Sequence, residues 1–483
     1  MLTRTLELAL VVLAGFPLVA LWPAEAAGAS QGQAKVHCIT DISHEFTFYF
    51  DGRFATNYVA PAGGVGAQNW ATLHKCDLTN ANLLVLQSGG TPCPYLPEDI
   101  AAVRRFLEAG GGVCVLGEYA LFRDEKAYRL NELAKALGAE FVAQVAKKPL
   151  KAAPELKAEE VRTYGGQTFR LKSPADWQIL VQDAAARPVL ARRAVGKGQL
   201  LLASRALAGH QPDAKDPINA QWWGPLLADL AKGKPADPAR RPQGTMPENK
   251  TQKEGLAIEC TDYLQPLADE VFAIYQRCRP AMERLLGVPP AKDMLTTLIL
   301  LPTGGGGFSS GRAIGLGVWW GDFPLKQYGM VELLGHESTH SWVLPFGEPM
   351  WNEGIATYVG IRLGQELGYK AEADATLKGW IDGARRHDPD MNKLDLAAGK
   401  GIPHEVAMAK PMWIFEQLRK ERPDVLARYF QLKRKLFDPA RVQRYTADDS
   451  VAVLSLAVGR DLFPWFRSLG VQVDRSRTTV PAP

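Results

Sequence analysis

The feature that most constrains this chain is Gly335-His336-Glu337-Ser338-Thr339-His340, with Trp351-Asn352-Glu353-Gly354 following a twelve-residue separation between His340 and Glu353. Two His four residues apart share one face of an α-helix, so both imidazoles can reach a single cation, with Glu337 beside them. A catalytic zinc takes three protein ligands and keeps its fourth position open. The fold must therefore bring a second element onto the face of the first. Residues 328–342 read as a helix, with Met330, Val331, Leu333 and Leu334 apolar and no internal proline. Pro349 fits the first turn of a second helix running roughly to Leu367, which places Glu353 in or just past its opening turn. Glu353 is the leading third ligand, although a carboxylate there is favoured by the helix dipole without any metal. Glu348, in the loop before Pro349, competes with it.

Residues 333–367 resemble the active site of the gluzincin metallopeptidases, in which His-Glu-x-x-His is followed by Asn-Glu on the next helix. The blocks His336-Glu337-x-x-His340-x-Trp342 and Trp351-Asn352-Glu353-Gly354-x-Ala356-x-Tyr358 are similar to those of the aminopeptidase branch, while the short connection is similar to the enhancin or mucin-degrading branch. The resemblance implies zinc on His336, His340 and Glu353, with Glu337 as general base. A Gly-Ala-Met-Glu-Asn motif is missing, so the resemblance implies an endopeptidase more than an aminopeptidase. Residues 407–413 resemble the region that carries an oxyanion-binding Tyr, but Met408 stands in its place. His404, one helical turn upstream, is the candidate donor, with Tyr358 and Tyr328 as further candidates. Gly304 to Gly307 and the next four residues read as a flexible loop into a strand over residues 313–320. In gluzincins an edge strand at this point pairs with the substrate backbone; a core strand with no substrate role is the alternative reading.

At 483 residues the chain has room for two or three domains, and 56 Lys and Arg against 52 Asp and Glu give no electrostatic case for nucleic acid. Lys433-Arg434-Lys435 reads as a solvated helix face. Arg4, the apolar run from Leu8 to Trp22 and Ala24-Glu25-Ala26-Ala27 have the form of a secretory signal, too short in its apolar core for a stable membrane span. Export predicts a secreted or periplasmic protein and makes disulfides possible among Cys38, Cys76, Cys93, Cys114, Cys260 and Cys278, with Cys260 and Cys278 the favoured pair by proximity.

The run Leu83-Leu84-Val85-Leu86, a helix over residues 98–109 and a strand over 113–116 form a βαβ unit with a parallel sheet. With residues 187–192 and 196–202 it resembles the class I glutamine-amidotransferase-like fold. The elbow that holds the nucleophilic Cys in that family has Tyr119 here, and Cys114 lies inside the strand, so the resemblance implies the fold without the chemistry. Residues 257–286 read as largely helical and 295–301 as a strand. Pro235, Pro238, Pro242 and Pro247 mark a linker, in which Asn249-Lys250-Thr251 matches a glycosylation acceptor.

The expected architecture is an α/β domain with a flavodoxin-like parallel sheet over residues 34–233, a linker over 234–252, and a mostly helical α+β zincin peptidase domain over 253–473. A signal peptide over 1–26 precedes them and a flexible tail over 474–483 follows. The expected function is a secreted zinc metallopeptidase acting on protein or peptide substrates, glycoproteins included. The alternative is an exported binding or scaffold protein with an inactive zincin site.

Overall fold

The structure, a computed structural model, describes residues 36–44, 54–88, 93–117, 128–163, 165–208, 218–302, 306–318, 327–399, 401–440 and 442–483. The expected signal, Tyr119, Gly304 and Gly305, and Trp319 and Trp320 lie outside the described residues. Among the described residues no helix is long and apolar enough to cross a membrane.

The chain is mixed α/β. Its strands are β1 (Val36–Asp41), β2 (Gly64–Asn69), β3 (Leu83–Ser88), β4 (Gly112–Gly117), β5 (Ala139–Val145), β6 (Lys151–Ala152), β7 (Gln167–Leu171), β8 (Gln178–Gln182), β9 (Pro188–Val195), β10 (Gly198–Ser204), β11 (Asn249–Lys253), β12 (Leu256–Cys260), β13 (Thr297–Leu301), β14 (Gly307–Ser309) and β15 (Ala313–Gly317). The helices are α1 (Pro97–Glu108), α2 (Leu130–Ala136), α3 (Ala220–Leu230), α4 (Gln265–Leu286), α5 (Gln327–Val343), α6 (Asn352–Glu366), α7 (Lys370–Arg385), α8 (His404–Glu421), α9 (Val425–Leu436), α10 (Ala447–Val458) and α11 (Phe463–Ser468).

Strands β2-β1-β3-β4-β10-β9-β8-β6 form one eight-stranded sheet. The unit β3-α1-β4 is the βαβ element read from the sequence, and β3 and β4 pair in parallel. The five strands from β2 to β10 are parallel, and the other three are antiparallel, so the sheet is mixed rather than wholly parallel. The change of direction comes at the tight β9-β10 hairpin, where Val195 pairs with Gly198.

A second sheet, β11-β12-β13-β15-β14, backs the helical half. Leu298, Leu300, Ile314 and Leu316 turn one face onto α4 and α5, while Ile299, Leu301 and Ala313 join the core of the first sheet with Trp222 and Trp223. Residues 257–260, read as helix, form β12, because Leu256, Ile258 and Cys260 alternate into the core and the helix starts only at Gln265. β15 is flanked on both sides, which agrees with the core-strand reading and not with the substrate-pairing edge strand. The edge is the antiparallel β14, formed within the stretch read as a flexible loop.

Residues 234–252, read as a linker, are bonded along the first sheet. Lys234 Nζ donates to the carbonyls of Leu78, Thr79 and Ala81, Glu248 accepts from Thr72, and the last residues open β11. Asn249 there donates its amide to Asp262. The tail from Asp474 is packed rather than loose: Val480 is buried, Thr478 bonds Asp449 and Asp474 N–H bonds Asp448. All six cysteines are free thiols, so the expected Cys260–Cys278 bond is absent; Cys260 lies on β12 facing Gln265, and Cys278 lies within α4.

Candidate metal centre

Helix α5 carries the motif through the middle of the core, with residues 333–343 buried all round. It meets α6 unusually closely because both helices present glycine. A Cβ on Gly335 would stand 2.6 Å from the Gly360 Cα, and one on Gly360 would stand 2.4 Å from the Glu332 carbonyl. The helix read from Pro349 begins at Asn352 instead, with Pro349 in the loop and Glu353 in the first turn. The two backbones thus bring the carboxylate over the imidazoles.

His336 Nε2 and His340 Nε2 are 3.2 Å apart, and Glu353 Oε2 lies 3.4 and 3.6 Å from them. Their ligand atoms form the one such group of three among the described residues. His336 Nδ1 is held by Thr357 Oγ1 at 2.9 Å, His340 Nδ1 lies 3.1 Å from the Asn352 amide, and the same amide donates to Glu353 Oε1 at 3.0 Å. These contacts leave both Nε2 atoms aimed at Glu353. The motif gives Asn352 no role, and Thr357 lies outside the residues it names; the sequence signal for Thr357 is its place four residues after Glu353, on the same helix face.

Glu337 is fully buried, and neither of its oxygens has a hydrogen-bond partner among the described residues; Glu353 Oε2 is likewise without one and faces only the two imidazoles. Burial raises the Glu337 carboxyl above its usual range, against the pull of the two imidazoles. Burial would raise Glu353 too, but the facing imidazoles outweigh it and hold that carboxyl well below the usual range. Burial alone would lower His336, and Glu353 and Glu337 raise it instead. The cluster is therefore a partly buried, electron-rich pocket that favours positive charge.

Strand β14 runs across this pocket. A Cβ on Gly307 would stand 2.3 Å from the Gly315 carbonyl and 2.9 Å from Glu337 Oε1, so only glycine allows the edge so near the carboxylate. Ser309 Oγ lies 3.2 Å from Ser341 Oγ on α5.

The rival ligand Glu348 is committed elsewhere, paired with Lys433 and bonded by Trp351 and Tyr429. Lys433, read as part of a solvated face, is buried in that pair. His404 opens α8 as an exposed residue against Trp380, with ring centroids 6.0 Å apart, and is not part of the ligand cluster. Tyr358 donates to Glu416 at 2.6 Å, and Tyr328 packs beside Tyr369 and Gly364. Met408, in the place of the expected Tyr, is buried, with its carbonyl against Gly354.

A second group of titratable residues lies beyond the carboxyl end of β1. His44 Nδ1 is 2.9 Å from Asp41 and its ring stacks on Tyr95, while His74 bonds Asp99 at 2.8 Å. Burial opposes the charge on His44, but Asp41 and Asp99 prevail and push it up to about 9, which makes this group a buried ion cluster. Burial raises all six thiols above their ordinary value, the opposite of what a nucleophilic Cys needs.

No protein-family model matches the chain, and no curated protein matches it in sequence. Solved structures resemble parts of it. A cytoplasmic protein of Salmonella typhimurium is 12% identical over 40% of this chain and 99% of that chain, with a TM-score of 0.32. The mmIFT52 N-terminal domain is 13% identical over 40% and 96%, with a TM-score of 0.30. A beta-galactosidase from Bacillus circulans sp. alkalophilus is 12% identical over 46% and 35%, with a TM-score of 0.25. Likenesses of this order bear on neither the site nor its chemistry.

Proposed function

We propose that this chain is a zinc-dependent peptidase of gluzincin type, more an endopeptidase than an aminopeptidase, in which His336, His340 and Glu353 hold the metal. The observation that carries the reading is the triangle of 3.2, 3.4 and 3.6 Å between three converging ligand atoms. Tetrahedral ligands 2.0–2.1 Å from zinc stand about 3.3 Å apart, so the side chains fit the ion as they lie. The orphaned Glu353 Oε2 supports the same fit.

When bound, zinc supplies a Lewis acid that polarises a carbonyl and brings the pKa of water down to about 7. Glu337, unpartnered and raised in proton affinity, takes the proton of the attacking water and returns it to the leaving amine. The outer edge of β14, the last strand of its sheet among the described residues, offers backbone groups to an extended peptide beside that carboxylate. In this reading the amino-terminal α/β domain, amidotransferase-like without its nucleophile, is a scaffold for the catalytic half. The chain acts outside the cytoplasm on protein or peptide substrates, glycoproteins among them.

The second reading, a binding or scaffold protein on an inactive site, is favoured by Met408 where an oxyanion donor is expected and by His404 lying exposed on Trp380. Incubation of the zinc-loaded chain with denatured proteins separates the two. Fragments that vanish with a chelator and return with zinc support the peptidase; an intact mixture beside a folded, zinc-loaded chain establishes the scaffold.

The edge strand gives a narrower prediction. Gly307→Ala is expected to lower kcat/KM on a quenched peptide about a hundredfold with zinc content unchanged, because the new methyl must displace β14 or Glu337. Unaltered kinetics would remove β14 from the site.

A further inference from the structure

We propose that Glu348 and Lys433, neither of them a ligand, are positioning residues that clamp the α5-α6 connection and thereby fix where Glu353 stands; this rests on reading the centre as a metal site. Residues 344–351 must turn the chain from the end of α5 to the start of α6 within a short span. Glu348, inside that turn, has a fully buried side chain, and the nearly buried Lys433 reaches it from α9. The ammonium lies 2.5 Å from Glu348 Oε1, 2.7 Å from the Phe346 carbonyl and 3.3 Å from the Val343 carbonyl. It thus closes the carbonyl end of α5, where the helix dipole favours a cation, and grips the turn at once.

The other carboxylate oxygen, Glu348 Oε2, accepts from Trp351 Nε1 at 2.8 Å and from Tyr429 at 2.7 Å. Trp351 is the N-cap residue, immediately before α6. Glu348 N–H donates to Asn352 Oδ1 at 3.3 Å, and the Asn352 amide reaches both Glu353 and His340. Bonds therefore run without a gap from α9 to two of the three ligands. Apolar residues of the same volume commonly serve stability as well as a buried ion pair does. What this pair supplies is one defined position for the turn, through donors and acceptors on every side.

The test is zinc affinity, measured by competition with a chromogenic chelator at a temperature where circular dichroism shows each variant folded. Glu348→Ala is expected to weaken zinc binding ten- to a hundredfold, the usual cost of losing support behind the ligands, and Glu348→Gln to stay within about fivefold of the unaltered chain. A merely structural residue would lower the unfolding temperature and leave the affinity of the folded chain alone. An affinity within twofold in folded Glu348→Ala overturns the clamp. If that variant does not fold, Tyr429→Phe, which deletes a single donor to Glu348, is expected to weaken zinc severalfold, and an unchanged value overturns the clamp equally. An unaltered chain that takes up no zinc overturns the metal site itself and the clamp with it.

Discussion

Glu337→Gln is expected to keep about one zinc per chain and to lose 10²–10⁴ in turnover, the range a positioned general base contributes. The substitution preserves shape and removes only the capacity to take a proton. Glu337 is not among the three ligand atoms, so zinc content should not change. The carboxylate is also fully buried with both oxygens unpartnered, a costly state that a neutral amide relieves in part. The variant should therefore be at least as stable as the unaltered chain, the mark of a residue kept for chemistry at the expense of the fold. Peptide turnover, zinc content and thermal unfolding on the same sample check all three. Retained turnover would put the base elsewhere.

His336→Ala should behave in the opposite way. One of three protein ligands disappears, and zinc affinity is expected to fall by about a thousandfold or more. A ligand at a hundred times its Kd stabilises a fold by about 2.7 kcal/mol, so the unaltered chain should unfold several degrees higher with zinc than without it. The variant should show no such rise. Metal analysis and paired melting curves read the result; a rise of the same size in both proteins would place the zinc away from His336.

The parts of the molecule that were legible in the sequence are those specified locally. The His-Glu-x-x-His helix, the βαβ unit and the opening-turn position of Glu353 follow from periodicity and spacing, and the structure has them within a residue or two. What was not legible depends on partners far along the chain. Whether β15 or β14 is the edge depends on which strand lies outermost in the sheet, and nothing in either segment records that order. Lys433 reads as solvated until Glu348, 85 residues away, is seen to face it. Strand β12 runs almost directly into α4, so apolar alternation passed for the start of a helix. The exclusion of Glu348 as a ligand was invisible for the same reason, since its partners arrive from α9 and from the residue before α6.

The sheet behind the candidate metal centre is finished on its far side by the other half of the molecule: Ile299, Leu301 and Ala313 are buried in the amino-terminal core, and Trp70 sits edge-on to Phe308 of β14. Recombination at the proline-rich segment 234–252 would leave that face bare and the edge strand without support. A substitution along this seam therefore changes the packing of both halves at once. The helices that carry the candidate ligands and the amino-terminal sheet thus share one layer between them, and neither is finished without it.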